Sequence, residues 1–208
     1  MLCQFTVKNF KSIRDEVTFD MQAAAISEHE DRIIIDKDEE KYLPVSAIYG
    51  PNGGGKSNVL AALHTLVAKV LRPLLATEDS EEKVLLQKKI IVEPFAFSES
   101  KDEPTEFELF FRTDLSEYRY ILHVKRDIVL YESLDRVKLE TGRRSALFIR
   151  DENGIILKGA FARLKVSNEL SKTLTLLSYL GIAYKENAVV KDVLGWFEYR
   201  IEFLNYGN

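Results

Sequence analysis

The sequence predicts an α/β (α+β) lobe. It comprises an N-terminal β-hairpin, a strand–glycine loop–helix unit, an antiparallel β part and C-terminal helices. Three observations carry that reading. A short apolar run without alternation, "VSAIYG" at 45–50, feeds into glycines and then into a 3.6-residue apolar period. A train of alternating apolar segments separated by turn residues fills 90–158, as locally joined antiparallel strands do. Helical periodicity returns near the C-terminus. The chain divides on this basis into parts at 1–75, 88–158 and 160–206 of a single lobe.

Each element has its own signal. Leu2, Gln4 and Thr6 alternate with Cys3, Phe5 and Val7, a polar break follows at "KNFKS", and "EVTFDM" resumes, so the chain opens on a hairpin-like strand pair. Residues 27–41 are acid-rich and read as a loop or a short strand. The run at 45–50 reads as a strand covered on both faces. From Asn58, apolar residues fall at Val59/Leu60, Leu63, Leu66/Val67 and Val70/Leu71, a helix that Pro73 is expected to end. A charged stretch at 78–89 also reads as helix. Then come strands at "IIVEPFAF", "TEFELFFR", "YRYILHVK", "IVLYESLDRVKL", "ALFIR" and "GIILKG", with an Asn-Gly turn in "RDENGI". "LSKTLTLLSYLGIAY" from Leu170 reads as a half-buried helix. Val189/Val190, Val193/Leu194, Phe197, Ile201 and Leu204 share one face of another, which Gly207 is placed to stop.

Composition narrows the function classes. The chain has 208 residues, 46% of them apolar, enough to bury a core. Its net charge of −4 gives no global basic field, so any DNA contact needs a local patch such as Arg143-Arg144 or Lys125-Arg126. A lone Cys3 and scattered His29, His64 and His123 argue against a disulfide and against a His/Cys metal site, and favour a reducing, cytoplasmic setting. No signal peptide and no 18-residue apolar run is read from the sequence, so no membrane partner is expected.

Gly50-Pro51-Asn52-Gly53-Gly54-Gly55-Lys56-Ser57 fits G-x-x-x-x-G-K-[ST], the P-loop or Walker A pattern. Glycines let the backbone close around a diphosphate, and the following helix offers its positive end. Lys56 is then expected to bridge the outer phosphates and the Ser57 hydroxyl to ligate Mg²⁺. With glycine at about 7% of residues, the four fixed positions coincide by chance in on the order of one chain in a hundred of this length. A guanine-selecting N-K-x-D is missing, and the D-x-x-G match "DENG" at 151–154 is explained by its hairpin turn.

"GPNGGGKSN" together with "FTVKNFKSI" resembles the ABC-like P-loop ATPases of the RecF, SMC and OLD group. "EPFAF", "FELFF", "YRYILHV" and "YESL" look more narrowly like the bacterial OLD-like and RecF-like AAA ATPases, many of them phage-defence components. The resemblance implies an N-terminal lobe of an ATPase head that binds ATP and Mg²⁺. It also implies pairing of two heads around nucleotide, as in a homodimer, and coupling to a nuclease or other effector. By the same resemblance Lys11 and Ser12 lie near the nucleotide, and Asn52 and Asn58 are ordinary P-loop positions.

Hydrolysis needs acids that the sequence does not offer in the expected place. "RIIID" ends at Asp36 before the P-loop, "IIVEP" gives Glu93 without an Asp, and Asp151-Glu152 sit in a turn. The signature loop and the late switch histidine are missing too, so the catalytic residues stay unknown. The sequence therefore implies an ATPase only when completed by a second lobe carrying those groups. The alternative is a nucleotide-sensing interaction module that does not hydrolyse.

Overall fold

A computed structural model describes residues 1–25, 30–75, 90–97, 102–167 and 169–204. The strands are β1 (Leu2–Lys8), β2 (Val17–Asp20), β3 (Ile34–Ile35), β4 (Lys41–Tyr42), β5 (Thr105–Arg112), β6 (Ser116–Lys125), β7 (Ile128–Lys138), β8 (Arg144–Asp151) and β9 (Gly154–Leu157). The helices are α1 (Lys56–Leu75), α2 (Leu176–Ala183) and α3 (Ala188–Tyr199). Seven strands form one sheet in the order β2-β1-β5-β6-β7-β8-β9, every neighbouring pair antiparallel. The pairing of β1 with β5 carries the sheet across the boundary between the 1–75 and 88–158 parts.

Period-two patterning puts one face of this sheet in the core. Phe5 and Val7 of β1, Phe107, Leu109 and Phe111 of β5, and Tyr118, Tyr120 and Leu122 of β6 are buried on it. The helices cover that face, giving two layers around one core. α1 contributes Leu63, Leu66, Val67 and Val70 of the expected stripe, with Ala62 beside them, while Leu60 is exposed. α3 contributes Val193, Trp196 and Phe197, with the Trp196 ring 4.5 Å from that of Phe111. Each fully buried Leu, Val or Phe stabilises by about 2 kcal/mol. Such a stripe outweighs the few tenths of a kcal/mol by which valines disfavour helix.

α1 is long and apolar enough to cross a bilayer by length and composition, which the sequence reading did not flag. Its stripe instead packs in the protein core. It also runs through Pro73 to Leu75 rather than ending there. The proline removes the N–H that would pair with the Lys69 carbonyl. The buried Ser178 hydroxyl of α2 lies at that break, 2.7 Å from the Val70 carbonyl and 3.4 Å from that of Lys69.

Several other expectations change. Residues 45–50 form no strand and are exposed, because no described strand edge offers them a hydrogen-bonding neighbour. "IIVEPFAF" is not a strand either; among its described residues only Val92 bridges, to Arg126. α2 starts at Leu176, where Thr175 caps it by accepting the Ser178 N–H. α3 ends at Tyr199, so Ile201 and Leu204 lie beyond the helix, Leu204 exposed. In "RDENGI", Asp151 pairs with Gly154, which makes Glu152-Asn153 the two-residue connection. The helix expected at 78–89 and the stop at Gly207 lie outside the described residues.

The acid-rich segment has a defined structural use. The buried Arg112 guanidinium binds Asp36 at 3.0 Å, Asp38 at 2.7 Å and Glu117 at 2.7 Å, and sits 5.1 Å from the centre of the Tyr42 ring. Burial alone would lower the Arg112 pKa, but the carboxylates of Asp38, Glu117 and Asp36 outweigh it and raise it. This cluster ties the β3–β4 hairpin to the sheet.

Candidate functional site

The glycine loop enters α1 as its residue types require. Gly53 and Gly55 have φ of +81° and +83°, a region that a side chain would strain. The Gly54 N–H donates to the Pro51 carbonyl at 3.1 Å, and the Asn58 N–H to that of Gly55 at 2.9 Å. Because α1 begins at Lys56, its first N–H groups have no intrahelical acceptor, and the helix presents its positive end to the loop.

Lys56 folds back on the loop. Its ammonium donates to the Gly50 carbonyl at 2.8 Å and the Pro51 carbonyl at 2.7 Å. Ser57 is exposed and borders a groove of about 580 Å³ between α1 and residues 200–204. His64, also on that groove, is engaged edge to face with Phe203, ring centres 4.9 Å apart.

The turn after β1 reaches this loop. Asn9 and Lys11 adopt φ of +56° and +50°. Phe10 and Ile13 exchange backbone hydrogen bonds at 2.8 and 2.7 Å, which sets Ser12 in a tight turn. The Asn58 side-chain amide donates to the Ser12 hydroxyl at 2.6 Å. A Cβ on Gly55 would stand only 3.1 Å from that same hydroxyl. Lys11 holds its ammonium 5.5 Å from the centre of the Phe10 ring, while its N–H donates to the Glu93 carbonyl at 2.9 Å.

The arrangement therefore gathers Gly50–Asn58 and Ser12, with Lys11 beside it. The other candidates go elsewhere. Asp36 is bound to Arg112, and Asp151 accepts the Asn153 N–H in its hairpin. Glu93 reaches the Lys11 turn through its backbone, with an exposed side chain. Arg143, Arg144, Lys125 and Arg126 are exposed, and the Arg126 carbonyl accepts the Val92 N–H. Burial pushes the His123 pKa down. Among the described residues no group of three or more His, Cys, Asp or Glu side chains is placed to hold a metal.

Chemically, the loop fits a polyphosphate. Positive-φ glycines leave the backbone bare, the helix end favours an anion, and Lys56 supplies a cation whose present partners are neutral carbonyls that a phosphate can replace. An exposed serine hydroxyl is the hard oxygen donor that Mg²⁺ accepts alongside phosphate oxygens. The sequence reading treated Asn58 as an ordinary loop position and missed its bond to Ser12. The available signal was Asn9, a residue type that tolerates positive φ, at the start of the turn.

The model of the family described as "AAA domain, putative AbiEii toxin, Type IV TA system" matches residues 45–167, from the run before the glycine loop to beyond the end of β9. No curated protein matches the chain significantly.

Proposed function

The chain belongs to the AbiEii-like AAA-domain family of P-loop ATPases, and from that premise we propose that it binds ATP with Mg²⁺ through Gly50–Asn58. Lys56 leaves the Gly50 and Pro51 carbonyls for the outer phosphates, and the Ser57 hydroxyl ligates the ion. Lys11 and Ser12 lie near the nucleotide, behind the loop. The observation that carries this reading is the loop itself, with glycines at positive φ opening directly onto a helix whose first residue is lysine.

We place the chain, within that family, nearest the OLD-like and RecF-like ATPases, as a cytoplasmic head lobe. The exposed run at 45–50 then pairs with strands of a completing lobe, supplied by another segment or another chain, which brings the acids for hydrolysis. Two such heads close around nucleotide and drive a nuclease or other effector in DNA processing or phage defence. Exposure of Val45 at 78% and Tyr49 at 89% supports completion, since an apolar strand-like run directly before a phosphate loop has no other evident use.

The test is binding of a fluorescent ATP analogue to the wild type and to Lys56→Ala. The wild type should bind and the variant should lose most of its affinity; equal affinity for both rejects the reading. A second reading, a nucleotide sensor that does not hydrolyse, is favoured by Asp36 being committed to Arg112 and Asp151 to its turn. Sustained Lys56-dependent turnover by the purified 208-residue chain would exclude it.

A further inference from the structure

We infer that Ser12 is a positioning residue for the phosphate loop, acting through Asn58 and Gly55 and not by touching a ligand. This rests on the nucleotide-binding reading of the loop. The Ser12 hydroxyl accepts the Asn58 side-chain N–H at 2.6 Å and stands where a Cβ on Gly55 would crowd it at 3.1 Å. It therefore meets the loop at the last glycine and again at the first turn of α1, flanking Lys56 and Ser57.

Ser12 can brace the loop because its own turn is fixed. Phe10 and Ile13 close it with two backbone bonds, and the Lys11 N–H is held by the Glu93 carbonyl at 2.9 Å. Behind it, Asn9 is buried and donates through its side-chain amide to the Glu103 and Pro104 carbonyls, while its Oδ1 accepts the Phe95 N–H at 2.9 Å. The turn is thereby anchored to the segment around residue 93 and to the start of β5. An element so held transmits restraint to the glycines, which lack side chains of their own to hold them.

The experiment uses the full chain in two readouts. Amide hydrogen exchange over 53–58 is measured without nucleotide, and affinity for the fluorescent ATP analogue is measured separately. Ser12→Ala and Asn58→Ala should each speed exchange in that window and weaken affinity about three- to fivefold, as loss of one hydrogen bond does. The double variant should be no worse than either single, and Ser12→Thr, which keeps the hydroxyl, should recover exchange protection. Wild-type exchange in Ser12→Ala, or additive losses in the double variant, overturns the inference. A wild type that binds no nucleotide sinks the functional reading instead, and the exchange rates still decide whether Ser12 braces the loop.

Discussion

The Ser178 hydroxyl donates to the Val70 carbonyl at 2.7 Å, beside the point where Pro73 interrupts the hydrogen-bond ladder of α1. The helix end around Pro73 is thus covered by a neighbouring helix. Ser178→Ala should cost about 1–2 kcal/mol, since it removes a buried hydrogen bond to Val70 and the hydroxyl beside the Lys69 carbonyl. In a Pro73→Ala background, where the ladder can close on the Lys69 carbonyl, the same change should cost clearly less. Urea unfolding of the four proteins measures this, and equal penalties in both backgrounds would refute the link.

How far the sequence was readable follows from where each segment finds its partners. β5 to β9 were legible because alternation and turns are local signals, and their pairings are with sequence neighbours. The glycine loop was legible for the same reason. The run at 45–50 misled because its apolar pattern specifies a covered strand, but cover must come from elsewhere. Pro73 misled because Ser178, remote in sequence, reaches the Lys69 carbonyl from which the proline withdraws its ladder N–H. The Ser12–Asn58 bond was invisible for a similar reason: only the folded turn brings residue 12 to residue 58.

The Arg112 cluster predicts acid lability. Arg112 donates to the Asp38 carboxylate and holds its pKa below the ordinary value of 3.8. A carboxylate depressed in the folded state adds stability above its unfolded pKa and loses it as pH falls through that value toward the folded one. Asp38→Asn should therefore cost about 1 kcal/mol at pH 7, modest because the site is partly solvated. The gap from wild type should shrink below about pH 4, where the unfolded chain's carboxylate takes up a proton that the folded one still resists. Urea unfolding at pH 7 and pH 3 checks it; a gap that is unchanged at pH 3 is the adverse result.

The uncovered run before the glycine loop predicts association. Val45 and Tyr49 are 78% and 89% exposed, and no strand pairs with their backbone among the described residues. Exposed apolar side chains beside unpaired strand-capable backbone favour self-pairing. Sedimentation velocity should show the mean mass of the wild type rising with concentration, and Val45→Lys/Tyr49→Lys should suppress that rise without lowering the melting temperature. Unchanged association in the double variant would point to another surface.

Trp196 is 1% exposed, and its indole N–H has no acceptor among the described residues. Its ring, however, packs on Phe111 and Phe197 at 4.5 and 5.2 Å between centres. The side chain thus combines a large apolar gain with the penalty of an unpaired buried donor, about 1–3 kcal/mol. Trp196→Phe keeps an aromatic ring in the cluster and removes the donor, at the expense of some packing volume. The two changes oppose each other, so its stability should lie within about 1 kcal/mol of wild type. Trp196→Ala forfeits the ring as well and should cost about 3–5 kcal/mol. Thermal and urea unfolding separate the cases: a Phe variant as damaged as the Ala variant would mean that the indole N–H makes a bond the protein depends on.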